Sequence, residues 1–372
     1  MKLKIGIIGS RGIPNHYGGF EECAQQLAVR LVKKGHQVTV YNSHRHPYEQ
    51  KEFDGVSIVH KYDAQHRLGS FGQFIYDFNC IYDARSRGFQ AILILGYTSS
   101  SIWQKLFPAK AALVSNMDGL EWKRSKYSPR VRQFLLRAEA WAAKGSDILI
   151  ADAQKLQEYL NEKYRVQSVY IPYGASPLRQ PEVAYLEPFK LEPRQYNLTV
   201  ARLEPENNLE LMLSGVQQSL SEKVFLVIGN HETPYGEYLK KRFRDSRIRF
   251  LNAIYDKPTL DNLRHFSHLY FHGHSVGGTN PALLEAMACR AAIVAHRNPF
   301  NLEVLGKEGN YFIDDKDVVN ALDHLERNQI QSQRSMANLK KIKERYNWDL
   351  VAEQYEITLQ QAVIEKGVPA VS

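Results

Sequence analysis

The stretch His272-Gly273-His274-Ser275-Val276-Gly277-Gly278-Thr279-Asn280-Pro281-Ala282-Leu283-Leu284-Glu285-Ala286-Met287 passes from an apolar run through three glycines into apolar positions spaced for a helix. Such a passage is the signature of a strand turning into a helix. Thr279 or Asn280 can cap that helix while Pro281 occupies its first turn, which leaves backbone N–H groups aimed outward at an anion. A buried helix accounts for Leu283, Leu284 and Met287 but not for His274 or Glu285. Glu285, one turn in, is placed to accept ribose hydroxyls, and a carboxylate there equally suits the helix dipole.

The same alternation extends outward. Lys4 to Gly9, Gln37 to Tyr41, Ala91 to Leu95, Ala111 to Ser115 and Asp147 to Ala151 read as strands. So do Asn197 to Ala201, Val224 to Ile228, Ile248 to Leu251, Leu269 to His272 and Ala292 to Ala295. Amphipathic helices separate them, the clearest with Phe20, Cys23, Ala24, Leu27, Ala28 and Leu31 on one face and Gly35 as its stop. The fold class is therefore α/β, with two Rossmann-like domains facing an interdomain cleft. The expected divisions are 1–172 for an N-terminal domain, 173–193 for a proline-rich linker and 194–345 for a C-terminal domain. Residues 346–372 read as a terminal helix, with Val351, Tyr355, Ile357 and Leu359 apolar, that packs back on the N-terminal domain.

Composition narrows the class. At 372 residues the chain exceeds one ordinary core, and 44% hydrophobic with 24% charged residues is a soluble globular balance. Cys23, Cys80 and Cys289 are widely spaced and in no ligand pattern, so they read as reduced thiols of a cytoplasmic protein. The apolar start at Met1 is too short for a signal peptide, and nothing approaches the ~20 apolar residues of a membrane span. A net charge of +8 favours anionic partners. The scattered His44, His46 and His60 and the acidic turn Asp314-Asp315-Lys316-Asp317 suggest no metal site, and no cofactor is expected.

Three further loops carry chemistry. Gly9-Ser10-Arg11-Gly12-Ile13-Pro14-Asn15-His16-Tyr17-Gly18-Gly19-Phe20-Glu21 follows the first strand, and Gly18 and Gly19 can present N–H groups to an anion or simply form a flexible turn. In Asn116-Met117-Asp118-Gly119-Leu120-Glu121-Trp122-Lys123-Arg124, Asp118 and Glu121 can bind substrate hydroxyls or take a proton, or Asp118 caps a helix. Arg202 ends the first strand of the second series, where its guanidinium can fork onto diphosphate oxygens or pair with Glu204 or Glu206.

Taken together, these motifs resemble glycosyltransferase family 4, of the two-domain GT-B type, and within it the bacterial rhamnosyltransferase branch of capsule and cell-wall polysaccharide synthesis. The resemblance rests on Gly18-Gly19-Phe20-Glu21, Asp118-Gly119-Leu120-Glu121-Trp122-Lys123-Arg124, Ala201-Arg202-Leu203-Glu204-Pro205-Glu206-Asn207-Asn208, Gly277-Gly278-Thr279-Asn280-Pro281 with Leu284-Glu285-Ala286-Met287, and Tyr346-Asn347-Trp348. Two positions depart from the family pattern: Gly277 stands where a glutamate is usual, and Asn207 where a lysine is.

The resemblance implies a retaining transferase that moves L-rhamnose from dTDP-L-rhamnose to a sugar on a lipid-linked acceptor. Gly18, Gly19, Arg202, Gly277, Gly278, Thr279, Asn280 and Glu285 would bind the donor, and Glu121, Trp122, Lys123 and Arg124 the acceptor. Arg202, His274 and the competing base Asp118 would serve the chemistry. The basic run Lys123, Arg124, Lys126, Arg130, Arg132 and Arg137 suits the inner-membrane surface. A UDP-sugar donor would fit the same diphosphate site. A dehydrogenase lacks the full glycine fingerprint. A nucleic-acid-binding protein, suggested by charge and 21 tyrosines, lacks a recognisable motif, so no nucleic-acid partner is expected; the oligomeric state stays open.

Overall fold

The computed structural model describes residues 1–16, 18–124 and 126–369. Tyr17 of the first glycine loop, and the last three residues of the expected terminal helix segment, lie outside them. The chain divides into two units. One comprises Met1–Lys123, Tyr127–Tyr173 and the segment from Trp348; the other comprises Arg124–Lys126 and Gly174–Asn347.

The first unit is built on β1 (Lys4–Ile8), β2 (Gln37–Ser43), β3 (Glu52–Phe53), β4 (Val56–Lys61), β5 (Ala91–Leu95), β6 (Ala112–Asn116), β7 (Ile148–Ala151) and β8 (Ser168–Tyr170). Their order in the sheet is β3-β4-β2-β1-β5-β6-β7-β8, parallel except for the β3–β4 pair. Ala91-Ile92-Leu93-Ile94-Leu95 is buried at every position, as a parallel strand covered on both faces must be. Ile8, Tyr41, Tyr76, Ile81, Ile92 and Leu113 form part of the core on one face.

The helix Gly19–Lys33 buries Cys23, Ala24, Leu27, Ala28 and Leu31. It also buries Glu21 and leaves Phe20 half-buried, the reverse of the apolar pattern. The cause is a loop contact: the Glu21 carboxylate accepts the Arg11 N–H at 2.7 Å. The terminal helix Trp348–Glu365 lies against Gly19–Lys33 and β6. Val351, Tyr355 and Leu359 are buried, but Ile357 is exposed. Two positions from Tyr355 is about 200° round a helix, so Ile357 cannot share its face. Asn116 Nδ2 donates to the Tyr355 hydroxyl at 2.6 Å, and Arg30–Asp349 and Lys34–Glu356 pair at the rim.

The second unit holds a six-stranded parallel sheet of β9 (Tyr196–Val200), β10 (Val224–Ile228), β11 (Ile248–Leu251), β12 (Tyr270–His272), β13 (Ile293–His296) and β14 (Asn310–Phe312). The order is β11-β10-β9-β12-β13-β14. Chain progression reverses between β9 and β12 here, and between β1 and β5 in the first sheet. At such a switch point successive helices leave on opposite faces and open a crevice beyond the carboxyl ends of the strands. Residues 173–193, expected as the linker, include the 3-10 turn Val183–Phe189, whose Leu186 is fully buried. The acidic turn at 314–317 is a helix cap, Asp314 Oδ1 accepting the Asp317 N–H at 2.9 Å.

Tyr355→Phe removes the buried acceptor of the Asn116 amide. An unsatisfied buried donor costs about 1–3 kcal/mol, so the urea midpoint of the first unit should fall with its slope unchanged. An unaltered midpoint would show that the amide is satisfied otherwise.

Candidate functional site

The loops that leave β9 and β12 at the switch point of the second sheet are stitched together. Asn208 Nδ2 donates to the Gly273 carbonyl at 2.7 Å, and the Ser275 N–H and hydroxyl both donate to the Glu206 carbonyl, at 3.0 and 2.9 Å. A Cβ at position 273 would lie 2.0 Å from the Asn207 carbonyl oxygen, so only glycine lets the two backbones pass. Gly277, at φ +113°, turns the chain in the left-handed region that other residues avoid.

The turn delivers the chain into the helix Pro281–Ala288. Asn280 is its cap, Oδ1 accepting the Ala282 N–H at 2.9 Å, with Pro281 in the first turn. Capping takes one N–H and proline removes another, so the remaining amino-terminal dipole faces the glycine loop. No acidic residue stands in that first turn, whereas Gly19–Lys33 carries Glu21 and Glu22 in its own. Of these two helix starts, the one after β12 leaves its positive end uncompensated by first-turn carboxylates. Thr279 is buried in this loop.

His274 is fixed by two chains of hydrogen bonds. Asn207 Nδ2 donates to the Arg202 carbonyl at 2.7 Å, so Asn207 Oδ1 must be the atom facing His274 Nδ1 at 2.9 Å. An acceptor there requires the proton on Nδ1, which leaves a lone pair on Nε2 in the neutral ring. The His274 carbonyl accepts from Asn298 Nδ2 at 2.9 Å and Asn301 Nδ2 at 3.1 Å. Burial, with Arg124 and Arg202 nearby, pushes the His274 pKa down to about 3. His272 beneath it is likewise lowered to about 3, by burial and by His274. Both rings are neutral near pH 7.

Arg202 is exposed at the end of β9. The carboxylates that could have paired with it have other partners: Lys126 Nζ donates to Glu204 Oε1 at 2.8 Å, and Arg124 lies 3.4 Å from Glu206 Oε1. Burial would raise Glu204, but the Lys126 hydrogen bond and Arg202 outweigh it and hold the pKa at about 2. Glu206 is raised by burial and by its hydrogen bond with Glu204, against the pull of Arg124. This carboxyl pair was not singled out by sequence reasoning, because nothing in Glu204-Pro205-Glu206 announces burial.

Glu285 engages Arg264 through Oε2 at 2.5 Å, and Arg264, only 2% exposed, also pairs with Asp261 at 3.1 Å. One carboxylate oxygen of Glu285 is thus taken by the scaffold. The remaining expected residues lie in the first unit, apart from Arg124, which belongs to the second. Gly18 precedes the helix Gly19–Lys33 in extended conformation, its N–H on Asn15 Oδ1 at 3.3 Å. Asp118 sits at φ +49° with its N–H on Asn116 Oδ1 at 2.8 Å. A non-glycine residue there is uncommon and marks a loop held by its surroundings. Glu121, Trp122 and Lys123 form a 3-10 turn, and Trp122 lies under Lys123 and Lys163 with Tyr159 beside it. Among the described residues no cluster of three or more His, Cys, Asp or Glu could hold a metal ion.

Residues 187–343, which contain the stitched loops and the helix Pro281–Ala288, match the family model Glycosyl transferases group 1. The protein is a glycosyltransferase. Its residues 2–176 match a Domain of unknown function (DUF1972). No curated protein matches the sequence. The glycosyltransferase shares its two-domain GT-B fold with sucrose-phosphate synthase from Thermosynechococcus elongatus, at a TM-score of 0.82 and 16% identity over 98% of this chain and 100% of that one. Anabaena HepE in complex with UDP and glucose gives 0.75 and 17% over 96% and 100%. The UDP-forming α,α-trehalose-phosphate synthase from Burkholderia xenovorans in complex with glucose-6-phosphate gives 0.72 and 13%, again over 96% and 100%.

The histidines of the glycosyltransferase's second unit set a pH dependence. His265 and His268, at about 4, and His272 and His274, at about 3, lie below the ~6.5 of an unfolded histidine. As pH falls below about 6.5 the unfolded chain takes up these protons first, so stability present above that value is lost toward pH ~3. The urea midpoint of the second unit should therefore drop between about pH 7.5 and about pH 5. His272→Asn should flatten that slope; an equal slope would take His272 out of the linkage.

Proposed function

We propose that the glycosyltransferase moves L-rhamnose, with retention at the anomeric carbon, from dTDP-L-rhamnose to a sugar on a polyprenyl diphosphate at the inner-membrane surface. The reaction would serve capsule or cell-surface polysaccharide synthesis. One observation carries the donor half: the start of helix Pro281–Ala288 is free of acidic residues in its first turn, lies at the switch point, and has Arg202 and a neutral His274 on the adjoining loops.

Departure of the nucleoside diphosphate leaves charge on the β-phosphate. The N–H groups of Gly278 to Asn280 and the Arg202 guanidinium stabilise it more in the transition state than in the ground state. Preorganised donors of this kind contribute about 3 kcal/mol each. Gly277 has no side chain to bind the sugar, and the Nε2 lone pair of His274 is the acceptor left for a sugar hydroxyl. Asn207 acts through its amide rather than through charge. The leaving phosphate takes the acceptor proton in a front-face attack, and Asp118 is the competing base.

A UDP-sugar donor is the second reading. It is favoured by the fold shared with HepE, whose structure holds UDP and glucose. Glu285 Oε2 is already on Arg264, so one carboxylate oxygen remains for a ribose hydroxyl, which suits a deoxyribose at least as well.

Thermal shifts with dTDP, UDP, GDP and NAD separate these readings: dTDP should stabilise most, a UDP preference would move the donor to the second reading, and an NAD preference would overturn both. Arg202→Ala should weaken the preferred diphosphate at least ~10-fold, since hydrogen bonds to charged groups contribute ~1.5–3 kcal/mol. Unchanged affinity by calorimetry would sink the assignment. For Asp118→Asn, wild-type turnover is expected under front-face attack, and a loss of ~100-fold or more would instead make Asp118 the base.

A further inference from the structure

Two helices of the first unit carry a patterned surface that the transfer reaction does not use. On Pro129–Gly145, Arg130, Phe134, Arg137, Trp141 and Lys144 follow one another at spacings of four and three, so cations and aromatics alternate along one face. On the neighbouring helix Gly72–Ala84 and the residue before it, Phe71, Ile75, Phe78 and Tyr82 form a second stripe. The rings link the two: Phe71–Phe74, Phe74–Phe134 and Phe134–Trp141 have centroids 6.3, 5.8 and 6.2 Å apart. Phe71 is 76% exposed, Tyr82 65% and Trp141 42%. Large apolar groups exposed side by side, rather than singly, mark a surface that is covered in use.

The charge on this face has one sign. The only acids in residues 64–82 and 129–146 are Asp77 and Glu139, and both are buried. Glu139 accepts from Tyr159, Tyr164 and Lys163. Arg67, Arg130, Arg137 and Lys144 are exposed. A second copy meeting this face through a two-fold axis would set cations against cations. A nucleic acid would satisfy the charges but leave Ile75 and Val131 without a gain. A bilayer with anionic headgroups satisfies both parts, because rings and aliphatic side chains enter at the headgroup level while Lys and Arg stay with the phosphates.

We propose that this face docks the enzyme peripherally on a membrane containing anionic lipid. No helix among the described residues is long and apolar enough to cross a membrane, so the contact is made by this surface rather than by a span. Docking deepens the lipid-linked acceptor reading and rests on it for purpose alone. Vesicle binding and donor recognition are read by separate measurements, so either can fail without the other.

The test is flotation of the full chain with vesicles of equal parts phosphatidylcholine and phosphatidylglycerol, beside vesicles of phosphatidylcholine alone. Binding should be strong to the mixed vesicles and weak to the neutral ones. Arg130→Gln with Arg137→Gln should weaken it roughly 30-fold, at about 1 kcal/mol per cation near an anionic surface. Phe71→Ser with Trp141→Ser should abolish it, while thermal shifts by nucleotide stay as in the parent. Arg130 and Arg137 are both exposed, so the charge pair tests the surface even if the aromatic pair fails to fold. Absence of binding to mixed vesicles, or binding unchanged in both variants, overturns the proposal. So does finding that the same substitutions abolish self-association or oligonucleotide binding in a chain that ignores vesicles.

Discussion

The Asn207 side-chain amide spans two loops, donating to the Arg202 carbonyl and accepting from His274 Nδ1. One planar group with a donor at one end and an acceptor at the other thereby sets the shape of the loop after β9, the position of the β12 loop and the tautomer of the histidine. A lysine at this position could not do this, because an ammonium has no acceptor to offer. Gly273 is its backbone counterpart, since the Asn207 carbonyl occupies the space a Cβ would need.

Around that hinge the second unit keeps its own negative charge away from the helix start. Glu206 lies beside Arg124, Glu204 is paired with Lys126, and Glu285 is drawn onto Arg264. The buried histidines are neutral. What faces the glycine loop is therefore the N–H dipole and Arg202, an arrangement that attracts an anion without presenting a competing carboxylate. The first unit does the opposite at its glycine loop, where Glu21 and Glu22 occupy the first turn and Glu21 is committed to the Arg11 amide. Two loops with similar glycine content thus have different electrostatics.

Much of the fold was legible. Buried parallel strands such as Ala91–Leu95 and Val224–Ile228 are continuous apolar runs, and their limits coincide with the sequence reading. The strands missed were Glu52–Phe53, Val56–Lys61, Ser168–Tyr170 and Asn310–Phe312. Three of them are sheet edges, where burial is partial and the apolar signal correspondingly weak. Phe20 was misplaced because periodicity assigns a face by spacing, whereas a carboxylate-to-backbone bond at Glu21 decides which residues of that face are covered; Ile357 was grouped with Tyr355 although two positions of a helix set them on opposite sides. At the site, Asn280 and Pro281 announce a cap by residue type alone. The Asn298-Pro299 pair carries the same cap signal, but that Asn298 would also hold the His274 carbonyl is a long-range contact with no sequence mark.

By itself the sequence determined the class and the local framework: alternating strands and helices, glycine turns at strand ends, and a capped helix start with proline. These are local properties, set by backbone sterics and by the period at which apolar side chains recur. Tertiary structure alone decided which charges are present there. Glu206 is buried beside Glu204 and Arg124, His274 is neutral with its proton on Nδ1, and Glu285 is bound to Arg264. Each follows from burial and from partners far along the chain, and a carboxylate or imidazole has no fixed charge until its neighbours are in place.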